Sequence, residues 1–376
     1  MKISRLIDTL EHIAPAHLAE SWDNVGLIVG DRDRALEGPT LVTIDLTPEV
    51  VQEALDASCR VIVSYHPPIF QPLRRLNADS VRGRLLVRAI EAGMAVYSPH
   101  TALDAVVGGM ADWLADGLHA DGAGSGDRRA LIPAPMRDPR QTHKIVTFVP
   151  AEHAERVRHA LASAGAGRIG EYELCSFTIA GQGTFLGSEA SNPSVGRRGA
   201  LETVDEVRLE MVCPGSAIAI LIETLRAFHP YEEPAFDVYE LGPRPDRRVG
   251  SGRRVVLDQP ATPEEIARRM RDYLGMERLR LAEASGGPVS HVGVCPGSGA
   301  ELIDAAIENE CTLFVTGEMK HHELLNAMDR GCSVILAGHT NTERGYLPRY
   351  VQRINELMPE AQAFVSKADK ILWRHV

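Results

Sequence analysis

The chain has no CxxC pair among its six cysteines, no apolar run approaching the ~20 residues a membrane span needs, and no excess of positive charge. Each absence excludes something. Cys59, Cys175, Cys213, Cys295, Cys311 and Cys332 are scattered, several within apolar strand-like runs, so free thiols in a reducing cytosol are expected rather than disulfides or a thiolate zinc site. A formal net charge of -11 argues against a non-specific polyanion-binding surface. The segment Met1-Lys2-Ile3-Ser4-Arg5-Leu6-Ile7-Asp8 carries an acid early and lacks the apolar core of a signal peptide, so a cytoplasmic protein is expected. Phosphate-loop signatures are missing too. No GK[ST] follows Cys295-Pro296-Gly297-Ser298-Gly299, which reads as a tight turn or a backbone phosphate contact, and Gly181-Gln182-Gly183 lacks a Rossmann context.

What is present is a set of metal-ligand residues at strand ends. Gly338-His339-Thr340-Asn341-Thr342-Glu343 follows the apolar run 333–337, and a His and a carboxylate four residues apart at the opening of a helix share one face. Two further apolar runs end in potential ligands: residues 61–64 lead to Tyr65 and His66, and residues 95–97 lead to His100 and Asp104. Converging at one sheet edge, such ends would line a crevice.

At 376 residues the chain is long enough for two or three domains. Strand-like runs at 41–46, 61–64 and 95–97 alternate with helical stretches at 49–57 and 81–92, the signature of an α/β layer with a largely parallel sheet. The rhythm returns with strands at 289–295, 313–316 and 334–337 and helices from Ala300, Met319 and near Glu343. Between them, Pro- and Arg-rich stretches at 132–140 and 242–254 read as linkers around a segment of order βαββαβ: 144–150, 152–164, 174–181, 206–212, 217–228 and 235–241. The predicted fold is a discontinuous α/β core of two similar halves, 1–138 and 247–376, with an inserted ferredoxin-like α+β domain at 139–246.

Ser21-Trp22-Asp23-Asn24-Val25-Gly26-Leu27, Ser64-Tyr65-His66-Pro67-Pro68-Ile69-Phe70, His100-Thr101-Ala102-Leu103-Asp104, Thr316-Gly317-Glu318-Met319-Lys320-His321-His322 and Gly338-His339-Thr340-Asn341-Thr342-Glu343-Arg344-Gly345 stand in order. Over essentially the whole chain this resembles the Nif-three-like family of dinuclear metal proteins, often labelled GTP cyclohydrolase I type 2. The insert, with Gly170-Glu171-Tyr172, Cys175-Ser176-Phe177, Gly183-Thr184-Phe185, Asn192-Pro193 and His229-Pro230-Tyr231-Glu232-Glu233-Pro234-Ala235, resembles the PII/CutA-like domain of many bacterial members. The resemblance implies two divalent metal ions per chain (zinc, iron, manganese or cobalt) in a homo-oligomer, commonly a hexamer, with trimer contacts through the insert. It implies that His66 and Asp104 bind one metal, that His339 binds the other, and that Glu343 bridges them. Where many members read His-His-Pro this chain reads Tyr65-His66-Pro67, and Tyr65 could ligate as a phenolate, hydrogen-bond a metal-bound water or fill space.

Other residues admit plainer roles. Asp104 could cap a helix, His100 could orient Asp104 or a water, and Glu318, His321 and His322 are either acid/base groups or a solvated helix start. Trp22 shapes the crevice mouth or joins the core, and His229 to Pro234 reads as a Pro-bracketed turn. Three functions are open: a metal-dependent hydrolase of a nucleotide-like or phosphorylated small molecule, a non-enzymatic metal or small-molecule sensor or scaffold acting through protein partners, and, least favoured, nucleic-acid binding through Arg244, Arg247, Arg248, Arg253 and Arg254.

Overall fold

The computed structural model describes residues 1–119, 126–135, 138–284 and 286–373. The chain divides into two compact units, Met1–Ala134 with Asp246–Val376, and Pro135–Pro245. In chain order the first unit begins with α1 (Ile3–Ile13), β1 (Gly26–Val29), β2 (Thr40–Thr43), α2 (Pro48–Asp56), β3 (Val61–Ser64), α3 (Val81–Glu91), β4 (Ala95–Ser98), α4 (His100–Ala105), α5 (Met110–Asp116), β5 (Arg128–Arg129) and β6 (Ile132–Pro133). The second unit follows with β7 (His143–Val149), α6 (Ala154–Ser163), β8 (Phe177–Leu186), β9 (Leu201–Cys213), α7 (Ile218–Phe228) and β10 (Phe236–Glu240). The first unit resumes with β11 (Gly250–Ser251), β12 (Arg253–Ala261), α8 (Pro263–Tyr273), β13 (Arg280–Ala282), β14 (Val289–Ser298), α9 (Ile303–Glu308), β15 (Leu313–Glu318), α10 (His321–Asp329), β16 (Ser333–Leu336), α11 (Leu347–Leu357) and β17 (Phe364–Val365).

Two sheets build the first unit. One has the order β1-β4-β3-β2-β17, parallel except for β1, and the other β13-β16-β15-β14-β12-β5, parallel only across β14, β15 and β16. Side chains alternate between the faces of each strand. Val42, Val63 and Tyr97 of the first sheet, and Val292, Val294, Val315 and Ile335 of the second, therefore share one core with Leu6 and Leu10 of α1, Leu114 of α5, Ile266 of α8 and Ile354 of α11. On the opposite faces, Leu41, Ile62 and Val96 pack on α2 and α3, while Phe314 and Val334 pack on α9 and α10. Local chemistry sets the helix starts: Thr47 and Thr262 accept the N3 amides of α2 and α8, each followed by proline at the first helical position.

The stretches read as linkers are partly structure. β6 pairs with β11, and β12 is a central strand whose Arg253 is 1% exposed. Arg253 Nε meets Asp112 Oδ1 at 2.8 Å, and its remaining donors reach the carbonyls of Gly250, Gly252, Ala105 and Val106. With Arg254 also buried, neither residue can face a nucleic acid.

The second unit is a four-stranded antiparallel sheet of order β10-β7-β9-β8, with α6 and α7 packed on its core. His229 sits at the turn into β10, its Nε2 3.0 Å from the Phe148 carbonyl and its Nδ1 accepting the Tyr231 amide at 3.1 Å. Among the described residues no helix is long and apolar enough to cross a membrane. All six cysteines are free thiols, four of them buried.

Candidate metal centre

The carboxyl ends of β3, β4, β14 and β16 open on one cavity of about 520 Å³. The β3 backbone continues past the strand, the amides of Tyr65 and His66 donating to Thr43 and Ile44 carbonyls at 2.9 and 3.0 Å, and Ser64 Oγ donates to the His66 carbonyl at 2.7 Å. After β16 the chain does not enter an α-helix. His339–Thr342 and Arg344–Tyr346 are 3-10 turns on either side of Glu343, and α11 starts only at Leu347. The His339 and Glu343 side chains still meet, with Nε2 and Oε1 3.3 Å apart.

His66 faces the other oxygen of the same carboxylate, Nε2 to Oε2 at 3.5 Å, so His66, His339 and Glu343 form one cluster whose donor atoms lie within 4.8 Å of one another. Each imidazole is anchored from behind. His66 Nδ1 is 2.8 Å from Asp45 Oδ1 and His339 Nδ1 is 2.9 Å from Glu318 Oε1, which leaves both Nε2 atoms to the cavity. Glu343 is 2% exposed, and its Oε2 has no hydrogen-bond partner.

Tyr65 and Asp104 form a separate pair on the cavity wall, the Tyr65 hydroxyl donating to Asp104 Oδ1 at 2.7 Å. Glu343 thus stands between His66 and His339 with one oxygen toward each, and Tyr65 and Asp104 lie on the wall of the same cavity. His100 lies on the same wall, but its Nδ1 is 2.7 Å from Asp23 Oδ1, so Asp23 orients the ring. The backbone of His100 has a φ of 29°, a left-handed value uncommon for a side-chain-bearing residue, and the Asp23 contacts to His100 and Thr101 brace it. Trp22 is not core: half-exposed, it packs beside Phe70 at the cavity mouth. Glu318 acts on His339 from outside the cavity wall. His321 and His322 are exposed at the start of α10 and do not line the cavity.

Burial and neighbouring charge set the protonation states. Burial would depress both imidazoles, yet Asp45 and Glu343 raise His66 to about 10, and Glu343 and Glu318 raise His339 to about 9. Burial would raise Glu343, but the two imidazoles hold it below the usual carboxylate range. Burial carries Asp104 up to about 7 despite the Tyr65 hydrogen bond, and drives the Tyr65 phenol well above its ordinary value.

These residues fit a divalent ion. Two imidazole nitrogens and a buried carboxylate with an unbonded oxygen suit zinc, iron, manganese or cobalt. The space is kept open by Gly297, whose φ is +63° and where a Cβ would stand 2.7 Å from Glu343 Oε1 and 3.1 Å from His339 Nε2. In that segment β14 runs through Ser298, and the Gly297 amide is taken by Thr342 Oγ1 at 2.8 Å. Sequence reasoning missed Asp45, which lay inside an expected strand, and the orienting role of Asp23, because both act through contacts remote in sequence.

The model of the family described as Duf34/NIF3 (NGG1p interacting factor 3) matches residues 1–370, and the chain belongs to that family. The Bacillus subtilis (strain 168) protein named GTP cyclohydrolase 1 type 2 homolog is 33% identical over 368 residues, 97% of this chain and 96% of its own. The Mycobacterium tuberculosis protein of the same name is 35% identical over 329 residues, covering 86% of this chain and 83% of its own. Among solved structures, Staphylococcus aureus protein SA1388 matches with a TM-score of 0.78 at 25% identity, covering 100% of this chain and 99% of that one. A Bacillus cereus protein related to NIF3 matches with a TM-score of 0.68 at 31% identity over the same shares.

Proposed function

We propose that the protein is a metal-dependent hydrolase of a nucleotide-like or phosphorylated small molecule, carrying two divalent ions per chain. The observation that carries this reading is the buried Glu343 carboxylate, each oxygen of which faces the Nε2 of a different histidine. Bound ions would polarise a substrate oxygen and acidify a water. His66 with Asp104 would hold one ion, His339 the other, and Glu343 would bridge them. Asp45 and Glu318 keep the imidazoles aimed. His100 is the proton carrier: Asp23 occupies its Nδ1, so Nε2 is the atom left to exchange a proton with water or leaving group. Arg82, on the same wall, supplies a cation for a phosphate. The reading includes a homo-oligomer, supported by Phe177, Ile179, Leu186 and Leu201, which lie exposed on the β8–β9 hairpin.

Metal content of tag-free wild type, His66→Ala and His339→Ala, measured by plasma mass spectrometry, tests the centre. Two ions per chain, falling in both variants, are expected. Formate release from GTP and phosphate release from a panel of phosphorylated compounds test the activity, which His339→Ala should abolish with the oligomer intact. A loaded wild type that turns over nothing while binding a protein partner in a metal-dependent way would overturn the hydrolase in favour of a sensor.

A further inference from the structure

We propose that the second unit carries a ligand site of its own, a cavity on the face of its sheet that no helix covers, and that this site takes a small organic cation with an aromatic body. Every residue lining it belongs to Pro135–Pro245, and it does not depend on the metal reading.

Strand alternation builds the floor. Leu209 and Met211 of β9 pack with α6 and α7 on one face, so Glu206 and Arg208 point to the other. There Arg208 stands between Phe148 of β7 and Ile179 of β8, and Glu206 stands opposite Gly181. Gly181 and Gly183 leave the β8 side of this face bare, and a Cβ at Gly181 would meet nothing within 4 Å. The chain after β8 forms the facing wall, its Asn192 amide donating to Glu232 Oε1 at 2.8 Å, and the enclosed space is about 600 Å³, the size of a small-molecule pocket. Three stretches that the metal centre leaves unexplained, Gly183-Thr184-Phe185, Asn192-Pro193 and His229 to Pro234, thus meet at one cavity.

Its chemistry is apolar and acidic. Phe148, Phe185, Pro193 and Val195 supply the apolar wall, and three carboxylates, of Glu206, Glu232 and Glu233, stand against one guanidinium, that of Arg208. This guanidinium is already committed, with Nε 2.7 Å from Glu210 Oε1 and its central carbon 5.6 Å from the centre of the Phe148 ring. The Tyr231 hydroxyl, buried without a hydrogen-bond partner, lies beside Glu206 and offers an entering ammonium a second oxygen. A cation held at Glu206 with its ring against the phenyl groups satisfies both parts of the wall, whereas an anion would meet excess negative charge. Ile179 also belongs to the exposed apolar surface of the β8–β9 hairpin, so a second copy of the chain is the competing occupant.

Isothermal titration calorimetry on the full-length protein in its native assembly tests the site, with phenethylamine as the cation, phenylpropionate as the matched anion and phenylethanol as the neutral body. Phenethylamine is expected to bind about 10-fold or more tightly than either, and Glu206→Gln to weaken it by about 10- to 100-fold, the effect of removing a charged partner. Gly181→Leu fills the cavity from a strand position with free space, so it should abolish binding and leave the melting temperature and the elution volume of the assembly unchanged. Equal affinity for the three compounds, or phenethylamine binding that neither substitution alters, would overturn the proposal. So would a wild type that does not bind phenethylamine, or an assembly that Gly181→Leu dissociates, which would give this face to a second copy.

Discussion

Glu343 is a carboxylate buried among groups that must either share its charge or be displaced by an ion. In the metal-free chain the raised pKa values of His66 and His339 assign that sharing to protons on the two imidazoles, which predicts a pH signature. Their folded values, about 10 and about 9, lie above the ~6.5 of unfolded imidazole, so they contribute stability that is fully present below about pH 6.5 and is lost as pH rises through 9 to 10. The upper part of that window lies above Asp104, raised to about 7. Urea unfolding of metal-stripped protein should show wild type losing stability from pH 6.5 to 10 relative to His66→Ala/His339→Ala. The apparent affinity for Zn²⁺ should rise across the same interval, because ion and proton compete for the same Nε2 atoms. A wild-type profile parallel to the double variant would disprove the coupling. At this scale the sequence pointed to His66, His339 and Glu343, which the structure brings together, because a polar side chain just after an apolar run is a local pattern. It concealed Asp23 and Asp45, because an orienting carboxylate is recognised only by what it touches.

At the level of elements, the parallel strands at the centre of each sheet were legible as short apolar runs, while the antiparallel strands beside them were not. β12 explains why. It opens with Arg253 and Arg254, whose charges are answered by Asp112 and Asp127 more than a hundred residues away, so nothing local marks the segment as buried. The His339 to Glu343 turn failed differently: the spacing of an α-helix was right for the side chains, but the backbone reaches it through 3-10 turns. Arg253 ties β12 to the segment joining α4 and α5, and Arg253→Ala should destabilise the chain by about 3–5 kcal/mol, since it takes the buried guanidinium away from Asp112 and from four interior carbonyls. Arg253→Lys should recover little, because a single ammonium cannot reproduce the guanidinium fork. Chemical denaturation would check both, and an Arg253→Ala loss below 1 kcal/mol would refute the role.

For the whole molecule, the βαββαβ order of the middle segment was readable because helical and strand periods alternate there without ambiguity. The unit Pro135–Pro245 has its own core, including Ile145, Val157, Leu209, Leu221 and Leu225. Where the chain leaves and re-enters the first unit, Pro133 pairs with Gly250, and the Ala134 amide donates to the Val249 carbonyl at 2.8 Å. Replacing residues 135–245 by a short Gly/Ser linker should therefore leave a cooperatively melting first unit that keeps its metal content, as circular dichroism and plasma mass spectrometry would show. Loss of the cooperative transition would mean that the second unit is needed for the first to fold.

The donors of the candidate centre lie far apart along the chain, with His66 supplied by the segment just after β3 and His339 and Glu343 by the turns after β16. During synthesis, the first imidazole leaves the ribosome long before the residues that complete its partner set exist. A nascent chain stopped anywhere before Glu343 presents only part of the donor set, so an ion that needs all three side chains would be held only after the segment beyond β16 has been made and has met the end of β3. Occupancy of the centre would then report the completion of folding.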